Sequence, residues 1–379
     1  MTERNRQTIS DFLRIRIAGS DVPCVVAAVT NAKDFLYLEA FGKSSVADDI
    51  AATPRTIFRL ASMTKPVTSL AAMMLVDDAR MSLDDPVAHY LVDYAQPQVL
   101  TKVNADGSYE SRPARRPILI RDLLAQTSGI SYSFLNPALT RLSETGTAEL
   151  KLPLLHDPGA AWTYGPGTAI LGRIVARVSG ETLDDFCKTR IFKPLGMVDT
   201  AYAVTGEKHR RVVTQHHRNG AGTLVERPNP LTIQSRGRGD DGLFSTAPDY
   251  AAFLQLFLNG GHRGSTQLIS ESSIRLMMSN QIGNLVLEQL IATSRSFAKP
   301  FPLGARKDKF GFGFQIETEP SDPDMRSPGS LSWAGIFNTY FWIDPRKELT
   351  GVVMMQLLPG NDDKAVDLFR GLERIVYAE

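Results

Sequence analysis

The sequence has few cysteines and no long apolar run. Only Cys24 and Cys187 occur among 379 residues, too few for the disulfide scaffold of a small secreted protein. No stretch approaches the roughly 18 consecutive apolar residues of a membrane-spanning helix. The N-terminus also lacks the apolar core and small-residue cleavage site of a secretory signal. We therefore expect a cytoplasmic protein without a membrane partner.

A charge excess of either sign is also missing. Lys and Arg together number 42 against 41 Asp and Glu, a formal net charge of +1. Nucleic-acid-binding proteins usually carry a strong basic excess, so we expect no nucleic-acid partner. Hydrophobic residues make up 43% and charged residues 22%, as in an ordinary globular protein with room for one large or two ordinary domains.

Motifs of several other enzyme classes are absent or incomplete. No G-x-S-x-G occurs, so an α/β-hydrolase would have no nucleophile. The six histidines show no H-E-x-x-H or H-x-x-x-H spacing, and we expect no metal. Gly237, Gly239 and Gly242 spell G-x-G-x-x-G, but Asp240 and Asp241 would place negative charge in a phosphate-binding loop. We therefore expect no nucleotide and no other cofactor.

The order of the predicted elements indicates one sheet assembled from both ends of the chain. Pro23 to Gly42 reads as a hairpin, and the last third contains aromatic and β-branched runs before a one-faced helix. Helical patterns and loops alternate between them. This predicts an α+β fold, a mixed antiparallel sheet flanked by helices, from residues 1–70 and 235–379. A mostly helical subdomain, 71–234, would be inserted, with the active site in the cleft between the two parts.

Ser62-Met63-Thr64-Lys65 is an S-x-x-K sequence at the start of a helix predicted from about Ala61 to Ala79. Residues three apart share a helix face, so the Lys65 ammonium can reach the Ser62 hydroxyl. A serine hydroxyl is a poor nucleophile until a neighbouring group accepts its proton. A lysine can accept it when burial or nearby cations lower its pKa. By itself the tetrapeptide is weak evidence, and a capping serine with a solvated lysine is the more frequent explanation, so its context decides.

Two further elements follow in the order that the β-lactamase and penicillin-binding signature requires. Tyr164-Gly165-Pro166 lies on a predicted loop of the helical part, and Trp333-Ala334-Gly335 lies in a predicted strand. Collinear segments run from about Pro23 to Pro359. The chain resembles the serine β-lactamase-related esterases called family VIII carboxylesterases, which are similar to class C β-lactamases and polyketide-modifying acyltransferases. The resemblance implies a β-lactamase/penicillin-binding-like fold.

The resemblance also implies catalytic roles. Ser62 matches the family's acylated serine, Lys65 the lysine that hydrogen-bonds it, and Tyr164 the tyrosine that shares the proton. Whether Lys65 or Tyr164 is the formal base stays open. The backbone amides of Ser62 and Ile336 match the oxyanion hole.

The substrate-binding residues are less directly indicated. Gln126 matches a polar residue on the acyl side of the cleft, and a helix-end glutamine bonded to a loop is an equal alternative. Tyr132 and Phe134 are expected to line the cleft or to pack in the core. Asp240, with Asp241, shapes the rim of the cleft or is solvated. Trp333-Ala334-Gly335 forms the opposite wall.

Two departures from the β-lactamase pattern bear on the substrate. Trp333 replaces the lysine of the K-T-G strand, and Pro166 replaces the asparagine of Tyr-x-Asn. Losing a charge-assisted contact of this kind costs on the order of 1.5–3 kcal/mol, which favours esters over β-lactams.

We therefore predict a carboxylesterase, a serine hydrolase that cleaves small carboxylic esters through a covalent acyl-serine. An acyltransferase with an alcohol or amine acceptor is the alternative. A β-lactamase or D-peptidase, or a catalytically silent binding module, is less favoured. The oligomeric state stays open.

Overall fold

Strands from both ends of the chain form one eight-stranded sheet. The computed structural model describes residues 1–104, 106–230, 233–234, 237–301, 304, 306–319 and 325–378. In this part of the chain the strands are β1 (Cys24–Thr30), β2 (Phe35–Ser45), β3 (Ile50–Ala51), β4 (Phe58–Arg59), β5 (Gln98–Val103), β6 (Tyr109–Pro113), β7 (Ala203–Val204), β8 (Gln215–Arg218), β9 (Leu224–Arg227), β10 (Ile233–Gln234), β11 (Phe244–Ser245), β12 (His262–Arg263), β13 (Thr266–Gln267), β14 (Lys309–Phe310), β15 (Gln315–Ile316), β16 (Leu331–Gly335), β17 (Thr339–Asp344), β18 (Leu349–Met354) and β19 (Leu357–Leu358).

The helices include one that begins directly after the predicted nucleophile. In chain order they are α1 (Glu3–Ala18), α2 (Thr64–Asp77), α3 (Ile120–Leu124), α4 (Pro137–Glu144), α5 (Gly167–Ser179), α6 (Leu183–Cys187), α7 (Lys193–Leu195), α8 (Ala247–Leu258), α9 (Glu271–Met278) and α10 (Asp363–Tyr377). Within the described ranges, none of them is long and apolar enough to cross a membrane.

The large sheet has the order β14-β15-β16-β17-β18-β1-β2-β3, and its paired strands run antiparallel. Both of its faces are covered by helices. Val25, Ala27 and Val29 of β1 lie in one apolar cluster with residues of α1 and α10. Val26 and Ala28 lie in a second cluster with residues of α2 and α8. Because successive side chains of a strand point to opposite faces, this double cover explains why every residue of β1 is buried.

The predicted sheet, flanked by helices and built from both termini, is confirmed. The middle of the chain is less helical than the sequence patterns indicate, because β5 pairs with β6 and β8 pairs with β9 there. The boundary predicted at residue 235 lies outside the described residues, and the division into 1–70 with 235–379 and 71–234 stays a prediction. The predicted long helix is also divided: Ala61–Met63 is a 3₁₀ turn, and the α-helix begins at Thr64.

Candidate active site

Ser62 lies in the 3₁₀ turn that leads into α2. Ala61 before it adopts a left-handed backbone conformation, with φ of 46°. Two contacts from other elements hold this turn: the Leu60 N–H donates to the Leu243 carbonyl at 2.9 Å, and the Tyr250 hydroxyl donates to the Met63 carbonyl at 2.9 Å. Such a backbone conformation costs energy in a residue other than glycine and persists only where the surroundings enforce it. The turn therefore presents a fixed, half-buried Ser62.

The end of β16 packs directly against this turn. A Cβ atom at Gly335 would lie 2.3 Å from the Leu60 carbonyl oxygen and 2.3 Å from the Thr339 hydroxyl, so only glycine fits here. The next residue, Ile336, lines the same cavity as Ser62. Its N–H has no backbone acceptor within the described part of the chain. Gly335 thus brings together the two residues whose amides were predicted to form the oxyanion hole.

Lys65 is buried, with 3% of its surface exposed, and its ammonium has three acceptors. Nζ donates to Ser62 Oγ at 3.3 Å, to the Tyr132 hydroxyl at 2.8 Å and to the Asp240 carbonyl at 2.8 Å. An ammonium has three N–H groups, so each has a partner. This arrangement fixes the nitrogen beside the serine oxygen.

Tyr132 and Asp240 continue the network behind Lys65. The Tyr132 hydroxyl donates to Asp240 Oδ2 at 2.7 Å, and Arg238 donates to both carboxylate oxygens at 2.9 and 3.0 Å. Burial opposes ionisation of Asp240, but the hydrogen bonds from Arg238 and the charge of Lys65 hold its pKa below the usual range. Burial and the Asp240 charge raise the pKa of Tyr132 well above its ordinary value. Tyr132 is therefore a protonated phenol that links Lys65 to a buried carboxylate.

Tyr164 approaches Lys65 with the face of its ring rather than with its hydroxyl. Nζ of Lys65 lies 4.8 Å from the Tyr164 ring centroid, a cation–π distance. Among the described residues no hydrogen bond joins this nitrogen to the Tyr164 hydroxyl. That hydroxyl accepts instead from Trp333 Nε1 at 3.4 Å, and Tyr164 lines the cavity together with Ser62. Of the two tyrosines, Tyr132 makes the hydrogen bond to Lys65, and the proton-sharing role that the resemblance implies for Tyr164 stays a prediction.

Gln126 supports the Tyr164 loop and does not line the cavity described below. Its Oε1 accepts from the Gly165 N–H at 2.9 Å, and its carbonyl accepts from the Thr163 N–H at 2.8 Å. The residue is 3% exposed, and its Nε2 donates to the Leu123 carbonyl of α3 at 3.4 Å, so Gln126 ties that loop to the end of the helix. The alternative stated above, a helix-end glutamine bonded to a loop, is what the structure describes.

A cavity with about 540 Å³ of empty space opens beside Ser62. One wall is formed by the predicted residues Trp333, Ala334, Gly335 and Ile336, together with Tyr164. Of the remaining lining residues only Phe134 was expected there, with core packing as the alternative; the full set is Phe134, Leu135, Leu290, Ala292, Ala298, Lys299, Phe301 and Asn361.

Tyr132 and Asp240 are not among the described residues that line this cavity. Both were predicted to bind substrate, but their polar atoms face Lys65, Arg238 and each other instead.

Sequence reasoning missed two parts of the site. Nothing in the sequence indicated that Arg238 belongs to the site, apart from its position two residues before Asp240. The segment 290–301 is irregular, and its position depends on backbone contacts far apart in the chain: the Thr293 N–H donates to the Phe134 carbonyl, and the Lys299 N–H donates to the Gly360 carbonyl, both at 2.8 Å. No residue pattern in the sequence encodes contacts of this kind.

The fold and the Ser62–Lys65 pair define a serine enzyme of the β-lactamase type, and similarity to known proteins agrees. Residues 6–374 match the β-lactamase family, and the chain belongs to this family. It is 30% identical to the lovastatin esterase of Penicillium rubens, with 93% of each chain covered. It is 29% identical to the monacolin J acid methylbutanoyltransferase of Aspergillus terreus, over 85% of this chain and 82% of that one.

Among solved structures, unliganded simvastatin synthase (LovD) from Aspergillus terreus superposes with a TM-score of 0.87 at 27% identity, covering 100% of this chain and 99% of that one. The predicted β-lactamase/penicillin-binding-like fold is thus confirmed. The relatives include an esterase and acyltransferases, which supports an acyl-serine hydrolase or acyltransferase of this fold. The narrower assignment to family VIII stays a prediction.

Proposed function

We propose that this protein hydrolyses small carboxylic esters by acylating Ser62. The observation that carries the proposal is the 3.3 Å hydrogen bond from buried Lys65 to Ser62 Oγ, at the end of a cavity whose walls are mostly apolar. A nucleophile and a proton acceptor within hydrogen-bond reach are the minimum for nucleophilic acyl transfer. The cavity provides space for one organic group of the ester.

In the acylation step, Ser62 Oγ attacks the ester carbonyl carbon. Its proton passes to the unprotonated form of Lys65 or to the Tyr164–Lys65 pair. The negative charge that develops on the carbonyl oxygen is stabilised by the amides of Ser62 and Ile336. When the bond to the alcohol oxygen breaks, the alcohol leaves with that proton and the acyl group stays on Ser62.

In the deacylation step, water attacks the acyl carbonyl and gives up a proton through the same base. Collapse of this second tetrahedral intermediate returns the proton to Ser62 and releases the carboxylic acid. Tyr132 and Asp240 take no proton in either step. They hold the Lys65 nitrogen in place, because Tyr132 stays protonated and Asp240 stays ionised.

The wall at Trp333 supports esters over β-lactams. The indole packs against the rings of Tyr164, Phe301 and Phe310 at centroid distances of 5.0, 5.6 and 5.4 Å. An aromatic wall binds through apolar contact and supplies no cation for a lactam carboxylate.

Acyl transfer is a second candidate, since one of the relatives is named a methylbutanoyltransferase. The same acyl-Ser62 would then react with an alcohol instead of water. No further catalytic group is needed for this outcome, because the acceptor oxygen occupies the position of the water.

Stopped-flow kinetics with p-nitrophenyl butyrate tests the proposal. We expect a burst of p-nitrophenol, or steady turnover where deacylation is fast, and mass spectrometry should place a fluorophosphonate adduct on the Ser62 peptide. Ser62→Ala should abolish both, whereas Ser111→Ala, at an exposed serine on β6, should change neither. Adding a short alcohol separates hydrolysis from transfer by the ratio of acid to new ester. Label on another serine would overturn the assignment.

A further inference from the structure

A second cavity adjoins the one that contains Ser62. It holds about 1050 Å³ of empty space, and Lys299 and Asn361 line both cavities. The Lys299 N–H donates to the Gly360 carbonyl at 2.8 Å, and the Lys299 carbonyl accepts from Asn361 Nδ2 at 3.2 Å. These bonds join the segment 290–301 to the residues just before α10. Lys299 and Asn361 therefore form the boundary that the two cavities share, and a substrate that reaches from Ser62 into the second cavity would pass over them.

The second cavity is rich in cations. Arg295, Lys299 and Arg370 line it, with Asp363 and Asp367 as the only acidic side chains among its described lining residues. One ion pair is made inside it, between Lys299 Nζ and Asp363 at 2.5 Å. The Asp363 side chain is 80% exposed, so water competes strongly for this pair.

The two arginines are not neutralised by ion pairs. Within the described part of the chain neither Arg295 nor Arg370 has a carboxylate within salt-bridge distance, and the buried Nε of Arg370 has no hydrogen-bond partner. Glu373 influences Arg370 only electrostatically, through space. A guanidinium presents a planar fork of donors that matches a carboxylate or a phosphate. Two such groups face a space large enough for an anion.

We propose that the second cavity binds an anionic group of the substrate, a carboxylate or a phosphate, while the ester carbonyl lies at Ser62. This inference rests on the proposed function and narrows its substrate class to esters that carry a negative charge on the acyl or the alcohol part. It also assigns the cation that the Trp333 wall lacks to the opposite side of the site, at Arg295, Lys299 and Arg370.

Matched substrate pairs test the proposal. Mono-p-nitrophenyl adipate carries a carboxylate on the acyl part, and p-nitrophenyl methyl adipate is its neutral partner. 4-Butyryloxybenzoate carries the carboxylate on the alcohol part, and its methyl ester is the partner. We expect KM to be about fivefold lower for the charged member of one pair, the size of a favourable exposed ion pair. The preference should shrink with added salt, because salt screens exposed charges.

Three variants test whether residues of the second cavity cause this preference for the charged ester. Arg370→Met and Arg295→Met keep the aliphatic length and remove one charge each. Each should therefore bring the ratio of the KM values for the neutral and the charged ester closer to one. Asp367→Asn removes a competing negative charge from the same cavity and should increase the preference. Arg141→Met, at an exposed cation on α4 outside both cavities, is the matched control and should leave the ratio unchanged.

Binding without turnover separates this inference from the proposed function. Titration calorimetry of Ser62→Ala protein with each intact ester measures the anion contact even if no ester is hydrolysed. If the charged ester of a pair binds more tightly than its neutral partner, and Arg370→Met removes this difference, the inference is supported whether or not the protein hydrolyses either ester. Equal binding of both members in both pairs would overturn it, and turnover of the neutral esters would then leave the proposed function intact.

Discussion

The two halves of the candidate site differ in how their side chains are held. Around Lys65, three buried polar residues and the partly exposed Arg238 form a connected set of hydrogen bonds: Lys65 with Tyr132 and Asp240, and Asp240 with Tyr132 and Arg238. Across Ser62, the cavity wall of Phe134, Leu290, Phe301 and their neighbours offers mainly apolar surface.

This difference predicts how each half responds to substitution. Removing one member of a buried polar set leaves its partners unsatisfied, at a cost of about 1–3 kcal/mol per group. Shortening a side chain of an apolar wall changes the shape of the cavity but leaves no polar group without a hydrogen-bond partner. The polar half should therefore fix the chemistry, and the wall should set which substrates fit.

The largest effect is expected from Lys65→Ala. It removes the group beside Ser62 Oγ and the donor to both Tyr132 and Asp240, so kcat for p-nitrophenyl butyrate should fall by about 10²–10⁴-fold. Circular dichroism and thermal unfolding should establish that the protein still folds. A loss below tenfold would mean that Lys65 is not the base or its partner.

Combining Lys65→Ala with Tyr164→Phe sharpens this test. The resemblance implies that Lys65 and Tyr164 share one proton during the reaction. Groups that do so act as a unit, so the double variant should be little worse than the poorer single one. Fully multiplicative losses would show that the two residues act independently.

Asp240→Asn should have the next largest effect, on stability as well as on activity. The carboxylate accepts from Arg238 twice and from Tyr132 once, and it is fully buried. Breaking a fully buried pair costs about 3–5 kcal/mol, but Arg238 is 36% exposed and also pairs with Glu149 and Asp241. We therefore expect a loss of about 1–3 kcal/mol of unfolding free energy, measurable by urea denaturation. Asp241→Asn is the matched control because that side chain is 51% exposed. Equal losses in the two variants would contradict a special role for Asp240.

The difference in stability between wild type and Asp240→Asn should also depend on pH. The Arg238 and Lys65 contacts hold the pKa of folded Asp240 below its usual value despite burial. A depressed folded pKa contributes stability that is present above the unfolded pKa and lost as pH falls through the folded one. The stability gap between wild type and Asp240→Asn should stay constant from about pH 8 to 5 and narrow below about pH 4. A gap that widens on acidification would show the opposite sign.

The contrast between the two halves also explains what the sequence could predict. Ser62 and Lys65 are three residues apart on one turn, and Trp333 to Ile336 follow one strand, so local spacing carries their positions. Tyr132, Asp240 and Arg238 meet Lys65 only through tertiary contacts, and the sequence indicated no bond between them. Segment 290–301 has no periodic pattern at all. Asp240 was expected to shape the cleft rim or to be solvated. Acidic residues are seldom buried unless paired, and its partner Arg238 was not recognised.

Trp333→Ala tests the cavity half with an intermediate effect. It removes an indole that is 4% exposed and packs on Tyr164. KM for short aryl esters should rise, with a smaller change in kcat, because wall contact is lost at roughly 25 cal/mol per Å² while Ser62 and Lys65 remain. Trp333→Lys should not confer efficient nitrocefin hydrolysis, because Pro166 still stands where lactam-binding relatives carry an asparagine. Wild-type turnover of nitrocefin with kcat/KM at or above the ester value would favour a lactamase instead.

The smallest effect is expected from Leu290→Ala, which shortens another side chain that lines the cavity. The space it opens should admit longer groups, and burying each added CH₂ is worth about 0.8 kcal/mol, about fourfold in binding. The kcat/KM ratio of p-nitrophenyl pentanoate, which has one more CH₂, to butyrate should therefore rise by roughly that factor, with Ser62 labelling by fluorophosphonate unchanged. Leu276→Ala, at a leucine on α9 that is 40% exposed and outside this cavity, is the control and should leave the ratio as it was. An unchanged ratio in Leu290→Ala would mean that the acyl chain does not enter this cavity. The apolar wall would then not select the substrate, contrary to the proposed division between the two halves of the site.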